Sequence, residues 1–261
     1  MKNHQKTEVA IAGLGFGESV HLEALYFNNH LKPSALWHPN PEKANNCSDK
    51  YNLKPFSNWS SLLNDENIKA IIIATPPKPR FDLAKEAISY GKHLLLEKPI
   101  ALNYSQIEEL QRLSIKNRVS VAVDFEYRAV PLFMQAKKIL SSQQLGKIWF
   151  IKFDWIMSSR ANVDRKWNWY SSNKEGGGVL GALGTHAFDI IHWLFGDTKT
   201  VNSHLSTAIK QRYCEENNSL KDVTSEDICL AQLELRCNET NEKIPAQISL
   251  SSISRNGRGC W

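Results

Sequence analysis

The sequence predicts an α/β protein with two parts. Residues 1–123 read as a Rossmann domain, a doubly wound parallel sheet. Residues 124–261 read as an α+β domain with a mixed, largely antiparallel and incomplete sheet. Three observations carry this. Short apolar strands alternate with helical segments through the first half, with brief connections. The first strand runs through a glycine turn straight into a helix. In the second half the strands lengthen and alternate apolar with polar residues, the pattern of a sheet solvated on one face.

The first strand spans Glu8–Leu14 and overlaps the turn Gly13-Leu14-Gly15-Phe16-Gly17-Glu18, and the helix follows over Ser19–His30. Gly13 permits the tight turn. Gly15 lets backbone approach a pyrophosphate, which the helix N-terminus favours with free N–H groups and a positive dipole end. The third glycine of such a fingerprint belongs at position 18, which holds Glu18, while Gly17 comes one residue early. A second strand, Ser34–Trp37, ends in His38-Pro39-Asn40. A carboxylate expected there for the ribose of NAD is missing, and no arginine stands in for a 2′-phosphate. His38 and Asn40 could bond a ribose in either cofactor, so NAD and NADP both remain open.

The strand Ile68–Ala74 is the most apolar of this half and stops at Thr75-Pro76-Pro77. A helix from about Arg80 to Tyr90 leads to the short strand in Gly91-Lys92-His93-Leu94-Leu95-Leu96, apolar on both faces. Glu97-Lys98-Pro99 then stands where that strand ends, and ligands of parallel sheets bind beyond the carboxyl ends of the strands. Lys98 is therefore placed for chemistry. Asn103 and Gln106 form a capping box for a helix over Tyr104–Lys116, and Val119–Tyr127 reads as one more strand.

The second half opens with an amphipathic helix, Pro131–Gly146. A strand follows over Lys147–Met157, with Trp149, Ile151, Phe153, Trp155 and Met157 on one face and Lys152 and Asp154 on the other. The aromatic face reads as core against a helix. After a polar loop holding Trp167 and Trp169 comes a glycine-rich helix start, Gly176-Gly177-Gly178, leading to His186. Strands over Thr200–Ile209, Glu226–Leu235 and Ile244–Ser254 flank a polar excursion, Lys210–Thr224.

These motifs resemble the glucose–fructose oxidoreductase / inositol dehydrogenase / MocA family. The resemblance rests on Gly13-Leu14-Gly15-Phe16-Gly17, Ala74-Thr75-Pro76-Pro77, Gly91-Lys92-His93, Glu97-Lys98-Pro99, Phe125-Glu126-Tyr127-Arg128 and Pro131. Glu-Lys-Pro after a Gly-Lys-His strand is specific; the glycine loop alone is not. The resemblance implies an NAD(P)-dependent oxidoreductase that interconverts a hydroxyl and a carbonyl on a sugar-like or polyol substrate. It implies that Lys98 and His186 are catalytic and face each other across a cleft. It implies that Gly13, Gly15, Phe16, Gly17, His38, Thr75, Pro76, Pro77, Glu97 and Lys98 line the cofactor, often with a cis Lys–Pro peptide. Arg128, Trp167 and Trp169 are candidates for the substrate pocket. The family's Asp-x-x-x-His pair is broken, because Ala182 stands four residues before His186; Asp189, one turn after, could orient the histidine or only cap backbone. His192 falls on another side of that helix. The alternative reading is a nucleotide-binding regulatory member without turnover.

Composition limits the rest. The chain has 261 residues, 42% apolar and 23% charged, as soluble globular chains do. Its net charge of +5 is scattered, with no basic run to suggest nucleic acid. Five cysteines form no CxxC pair, and no metal-ligand spacing appears. The polar start Met1–Glu8 and the lack of a long apolar run point to a cytoplasmic protein with a small-molecule substrate and no membrane partner. Relatives of the family run longer, so the strand Ile244–Ser254 is expected to expose an unpaired edge, open to homo-oligomer formation through the C-terminal sheet.

Overall fold

The computed structural model describes residues 6–238 and 240–260, with the side chains of 258–260 set aside. The polar residues 1–5 and Trp261 lie outside the described residues. The chain divides into two compact units, Met1–Asp124 and Phe125–Trp261.

The first unit is one six-stranded sheet in the order β3-β2-β1-β4-β5-β6. Its strands are β1 (Thr7–Ala12), β2 (Leu31–Trp37), β3 (Lys54–Phe56), β4 (Ile68–Ile73), β5 (His93–Leu96) and β6 (Val121–Val123). All five pairings are parallel. The order reverses between β1 and β4, the switch point at which doubly wound sheets bind ligands. A π-helical stretch, Gly17–Leu22, continues into α1 (Glu23–Tyr26); α2 (Pro41–Tyr51), α3 (Trp59–Leu63), α4 (Pro77–Ser89) and α5 (Tyr104–Asn117) supply the crossovers. Ile71, Ile73, Leu94 and Leu96 are buried among Ala84, Ala87, Ile88 and Leu110 of the helices. Val9, Ile11 and Ile72 are buried with Leu22 and Leu25.

The capping box of α5 is present in a shifted form. Gln106 N–H donates to Asn103 Oδ1 at 3.0 Å, while Gln106 Oε1 accepts from the N–H of Leu102 at 2.9 Å, one residue before the cap. The strand expected to run to Tyr127 instead ends at Val123. Its partner β5 ends at Leu96, opposite Val123, and nothing further is available to pair. The chain turns there into a 3₁₀ turn, Glu126–Ala129.

The second unit contains α6 (Pro131–Ser141), β7 (Ile151–Met157), a π-helical stretch Leu180–Gly184, α7 (Thr185–Phe195), β8 (Gly196–Ser206), β9 (Gln211–Cys214), β10 (Ser219–Asp222), β11 (Ile228–Cys237), β12 (Lys243–Ser251) and β13 (Arg258–Cys260). Its main sheet has the order β13-β7-β12-β11-β8. Only β7 and β12 pair in parallel. Ile151, Phe153 and Trp155 pack with Ala187, Ile190, Ile191 and Leu194 of α7, as the alternation predicts. Trp149 is not among them. The ladder begins at Ile151, opposite Ala246, and Trp149 is 81% exposed before it.

Three further expectations are corrected. The strand over residues 244–254 is not an open edge: β12 lies between β7 and β11, its Ile244, Ile248 and Leu250 buried, and the edges are β13 and β8. The polar excursion over residues 210–224 contains the β9–β10 hairpin, hidden in sequence because both strands are four residues long and mostly polar. The helix from Pro131 also ends early, at Ser141, and Gly146 lies beyond it with φ +68°. No described helix is long and apolar enough to cross a membrane.

Candidate active site

In the first unit the motif residues gather because each follows the carboxyl end of a parallel strand. Gly13–Gly17 follow β1, His38 follows β2, Thr75–Pro77 follow β4, Glu97 and Lys98 follow β5, and Asp124 follows β6.

The glycines divide three tasks. Gly13 has φ +99°, and a Cβ there would lie 2.8 Å from the backbone of Ala74, so the turn requires glycine. A Cβ on Gly15 would meet nothing within 4 Å. The space beside Gly15 is an open cradle, and a larger side chain would enter it without displacing a neighbour. A Cβ on Gly17 would lie 2.9 Å from Ile11 Cγ2 and 3.3 Å from Ala74 Cβ. Gly17 thus performs the helix-to-strand packing expected of a glycine at position 18. The π-helical stretch that starts at Gly17 accommodates the earlier position. Phe16 is exposed beside this turn, with its ring edge-on to His21 at 5.5 Å.

The turn after β4 places Thr75 in the interior, its Oγ1 without a hydrogen-bond partner. The adjoining turn is held by charged groups that the sequence alone does not bring together. Glu97 is 6% exposed; its Oε1 accepts from His21 Nε2 at 2.8 Å and its Oε2 from the N–H of Lys98 at 3.1 Å. The Glu97 carboxylate therefore braces the turn that carries Lys98. Asp124 Oδ2 lies 3.7 Å from the same His21 nitrogen. Burial pushes the Glu97 carboxyl up, but the His21 bond and the charges of His21, Lys98 and Arg80 outweigh it and hold the group below its usual range. Burial and the Glu97 charge raise Asp124. The ligating atoms of His21, Glu97 and Asp124 all lie within 4.8 Å of one another, and the His21–Glu97 contact is that of a direct hydrogen bond. Arg80, 3% exposed, donates to the carbonyls of Thr75, Glu97 (2.6 Å) and Pro99. It thereby ties the turn after β4 to the turn after β5. Lys98 is half-buried, and its peptide to Pro99 is cis.

In the second unit His186 sits on the first turn of α7 and is 3% exposed. Tyr127 meets it edge-on at 4.8 Å, with Phe125 and Trp155 each at 6.1 Å. This largely aromatic setting constrains the ring strongly. The Glu126 carboxylate approaches it, with Oε1 3.6 Å from Nε2. Glu126 thus stands near the histidine where Ala182 leaves the family's aspartate missing. Asp189 does not orient His186. It forms a two-pronged pair with Arg128, at 2.8 and 2.6 Å. That pairing fixes the Arg128 guanidinium while leaving its side chain about half exposed. Trp167 is held by the hairpin: its Nε1 donates to the Asp222 carbonyl at 3.0 Å and Lys221 Nζ lies 3.3 Å from its ring centre. Trp169 lies against Tyr170, with ring centres 6.0 Å apart. His192 faces Thr198 at 2.8 Å, away from His186 as its helical phase predicts.

Comparison with known proteins shows the family and the fold. Residues 7–125 match the family model described as "Oxidoreductase family, NAD-binding Rossmann fold", and residues 133–258 match the "GFO/IDH/MocA C-terminal domain". An uncharacterized oxidoreductase of Synechocystis sp. is 40% identical over 255 residues, 97% of this chain and 67% of that protein. Levoglucosan dehydrogenase of Pseudarthrobacter phenanthrenivorans is 29% identical over 175 residues, 66% of this chain and 45% of that protein. Among solved structures, a levoglucosan dehydrogenase in complex with NADH and L-sorbose superposes with a TM-score of 0.87 at 22% identity, covering 97% of this chain and 69% of that one. An NAD-binding oxidoreductase from Klebsiella pneumoniae gives 0.85 at 23% identity, covering 98% of this chain and 68% of that one. These two structures speak to the fold.

Proposed function

Because the chain belongs to the GFO/IDH/MocA oxidoreductase family, we propose that it interconverts a hydroxyl and a carbonyl on a sugar-like or polyol substrate with a nicotinamide cofactor. The observation that carries this reading is the placement of Lys98. It follows β5 in a turn tied by Arg80 to the Thr75 turn, in the same sheet whose β1 leads into the open glycine cradle.

The cofactor, when bound, supplies the hydride acceptor or donor. Gly15 leaves room for its pyrophosphate, and the N–H groups at the start of the Gly17 helix face that charge. Lys98 donates a hydrogen bond to the reacting oxygen, which stabilises the negative charge that develops there. In the oxidation direction the alcohol gives up a hydride from carbon and a proton from oxygen. His186 is the group proposed to take that proton, with the Glu126 carboxylate favouring the resulting imidazolium. The names of relatives, levoglucosan dehydrogenase and D-xylose dehydrogenase among them, support a carbohydrate as substrate.

A second reading, cofactor binding without turnover, is favoured by Ala182 and by the close aromatic packing of His186. One experiment separates the two. The protein is titrated with NADH and NADPH, then assayed for cofactor oxidation or reduction against a panel of sugars and polyols. Lys98→Ala should lower kcat by about 10²–10⁴-fold. Gly15→Val should stay folded and lose the cofactor. Cofactor binding with no turnover across the panel would favour the regulatory reading, and unchanged kcat in Lys98→Ala would remove Lys98 from the chemistry.

A further inference from the structure

We propose that the end of β2 selects a 2′-phosphorylated dinucleotide, so that this chain binds NADP(H) in preference to NAD(H), with His38 and Lys43 reading the phosphate. The inference rests on the cofactor reading above and concerns which nicotinamide nucleotide that site takes.

In a Rossmann sheet the adenosine ribose lies past the carboxyl end of the second strand. A carboxylate there accepts a hydrogen bond from the 2′-hydroxyl of NAD and repels a 2′-phosphate. Here β2 ends at Trp37 and the next residues are His38, Pro39 and Asn40. The residue in the acceptor position is thus an imidazole, and its hydrogen bonding fixes what it offers. His38 Nδ1 accepts from the N–H of Asn40 at 3.0 Å, so the neutral ring carries its proton on Nε2, a donor. Asn40 Oδ1 accepts from the N–H of Lys43 at 3.1 Å, which caps α2 and fixes the side chain, whose amide NH₂ adds two donors. Lys43, on the first turn of α2, adds three donors and a positive charge. It acts electrically on His38: burial lowers the imidazole's pKa, the Asn40 bond opposes this, and the Lys43 charge lowers it further.

The polar groups that follow β2 are therefore donors, one of them cationic. A phosphate monoester offers three acceptor oxygens and up to two negative charges, and bonds to it are charge-assisted. A 2′-hydroxyl offers one oxygen and no charge, and its proton meets no carboxylate among the residues that follow β2 directly, only neutral acceptors. The carboxylates nearby do not restore one at the strand end. Glu18 is paired with Lys50 at 3.0 Å, and Glu42 lies on the first turn of α2, past Asn40 and Pro41.

The test is a pair of binding titrations, NADPH and NADH separately, followed by intrinsic tryptophan fluorescence on the whole chain. NADPH is expected to bind about tenfold more tightly or better, the worth of one charge-assisted bond. Lys43→Ala, at an exposed position, should weaken NADPH while leaving NADH within about twofold, and His38→Ala should weaken NADPH more than NADH. His38→Asp should reverse the preference, because it restores the ribose acceptor. Equal or tighter binding of NADH by the unaltered protein would overturn the inference and leave the oxidoreductase reading standing. So would loss of NADH affinity in Glu42→Gln, which would make Glu42 the ribose acceptor. Binding of neither nucleotide would overturn the cofactor reading and this inference with it.

Discussion

Glu97 and Asp124 are carboxylates placed against one imidazole in the interior of the first unit, and they titrate in opposite directions. Glu97 is held low by His21 and by the cations around it, against the push of burial. Asp124 is raised by burial and by Glu97. The linkage follows from the signs. Glu97, with a depressed folded pKa, contributes stability above its unfolded value near ~4.3 and loses it as pH falls through the depressed value. Asp124, with a raised folded pKa, contributes stability below about 3.9 and loses it as pH rises through the raised value. Asp124→Asn removes the second effect alone. Its melting temperature, measured against the unaltered protein, should therefore gain steadily as pH rises from about 4 toward 7. A relative gain that shrinks with pH would show instead that ionised Asp124 is paired with a His21 imidazolium. The sequence singles out Glu97 and Lys98 because they stand together in a motif. It is silent on His21, whose partner Glu97 lies 76 residues away, and on Asp124, which the strand pattern assigns to an extended run.

Arg80 shows what an element adds to its residues. It stands on the first turn of α4, which Pro77 starts directly after the Thr75 turn. From there its guanidinium reaches back under two strand ends and bonds three carbonyls. Burial lowers its pKa to about 10, which leaves it charged at neutral pH. Arg80→Met would strand these buried acceptors and should cost about 3 kcal/mol or more in urea unfolding. Arg80→Lys keeps the charge but not the fork, and should fall between. A loss below about 0.5 kcal/mol for Arg80→Met would show that the turns hold without it. Legibility at this scale follows pairing. Parallel strands and their helices are visible as apolar runs and caps, so β1, β2, β4 and β5 lie where the sequence places them to within a few residues. Ends are not, because a ladder depends on its neighbour: β6 is cut at Val123 by the length of β5, and β7 joins β12 only at Ala246, the fourth residue of that strand. The π-helical stretch at Gly17 is similarly hidden, and with it the fact that Gly17 does the work of a later glycine.

At the scale of the whole chain, the apolar cores respect the division into two units. The clusters around Ile71, Ile11 and Leu36 draw only on the first unit, and that around Phe153 and Ile190 only on the second. The first unit also holds the glycine cradle, His38, Thr75 and Lys98, so every residue proposed for dinucleotide binding lies within Met1–Asp124. Its sheet is closed at both sides by strands of three residues, β3 and β6, too short to template pairing with another chain. A fragment ending at Asp124 should therefore fold by itself, unfold in one cooperative step, and bind the dinucleotide within about tenfold of the whole chain. Trp37 and Trp59, 5.0 Å apart beside the end of β2, provide the fluorescence signal for the same titration. Turnover should be lost, since His186 and Glu126 belong to the second unit. A fragment that melts without a cooperative transition would show that the first unit depends on the second for its stability. One that folds but no longer binds the dinucleotide would show that residues beyond Asp124 hold the cofactor.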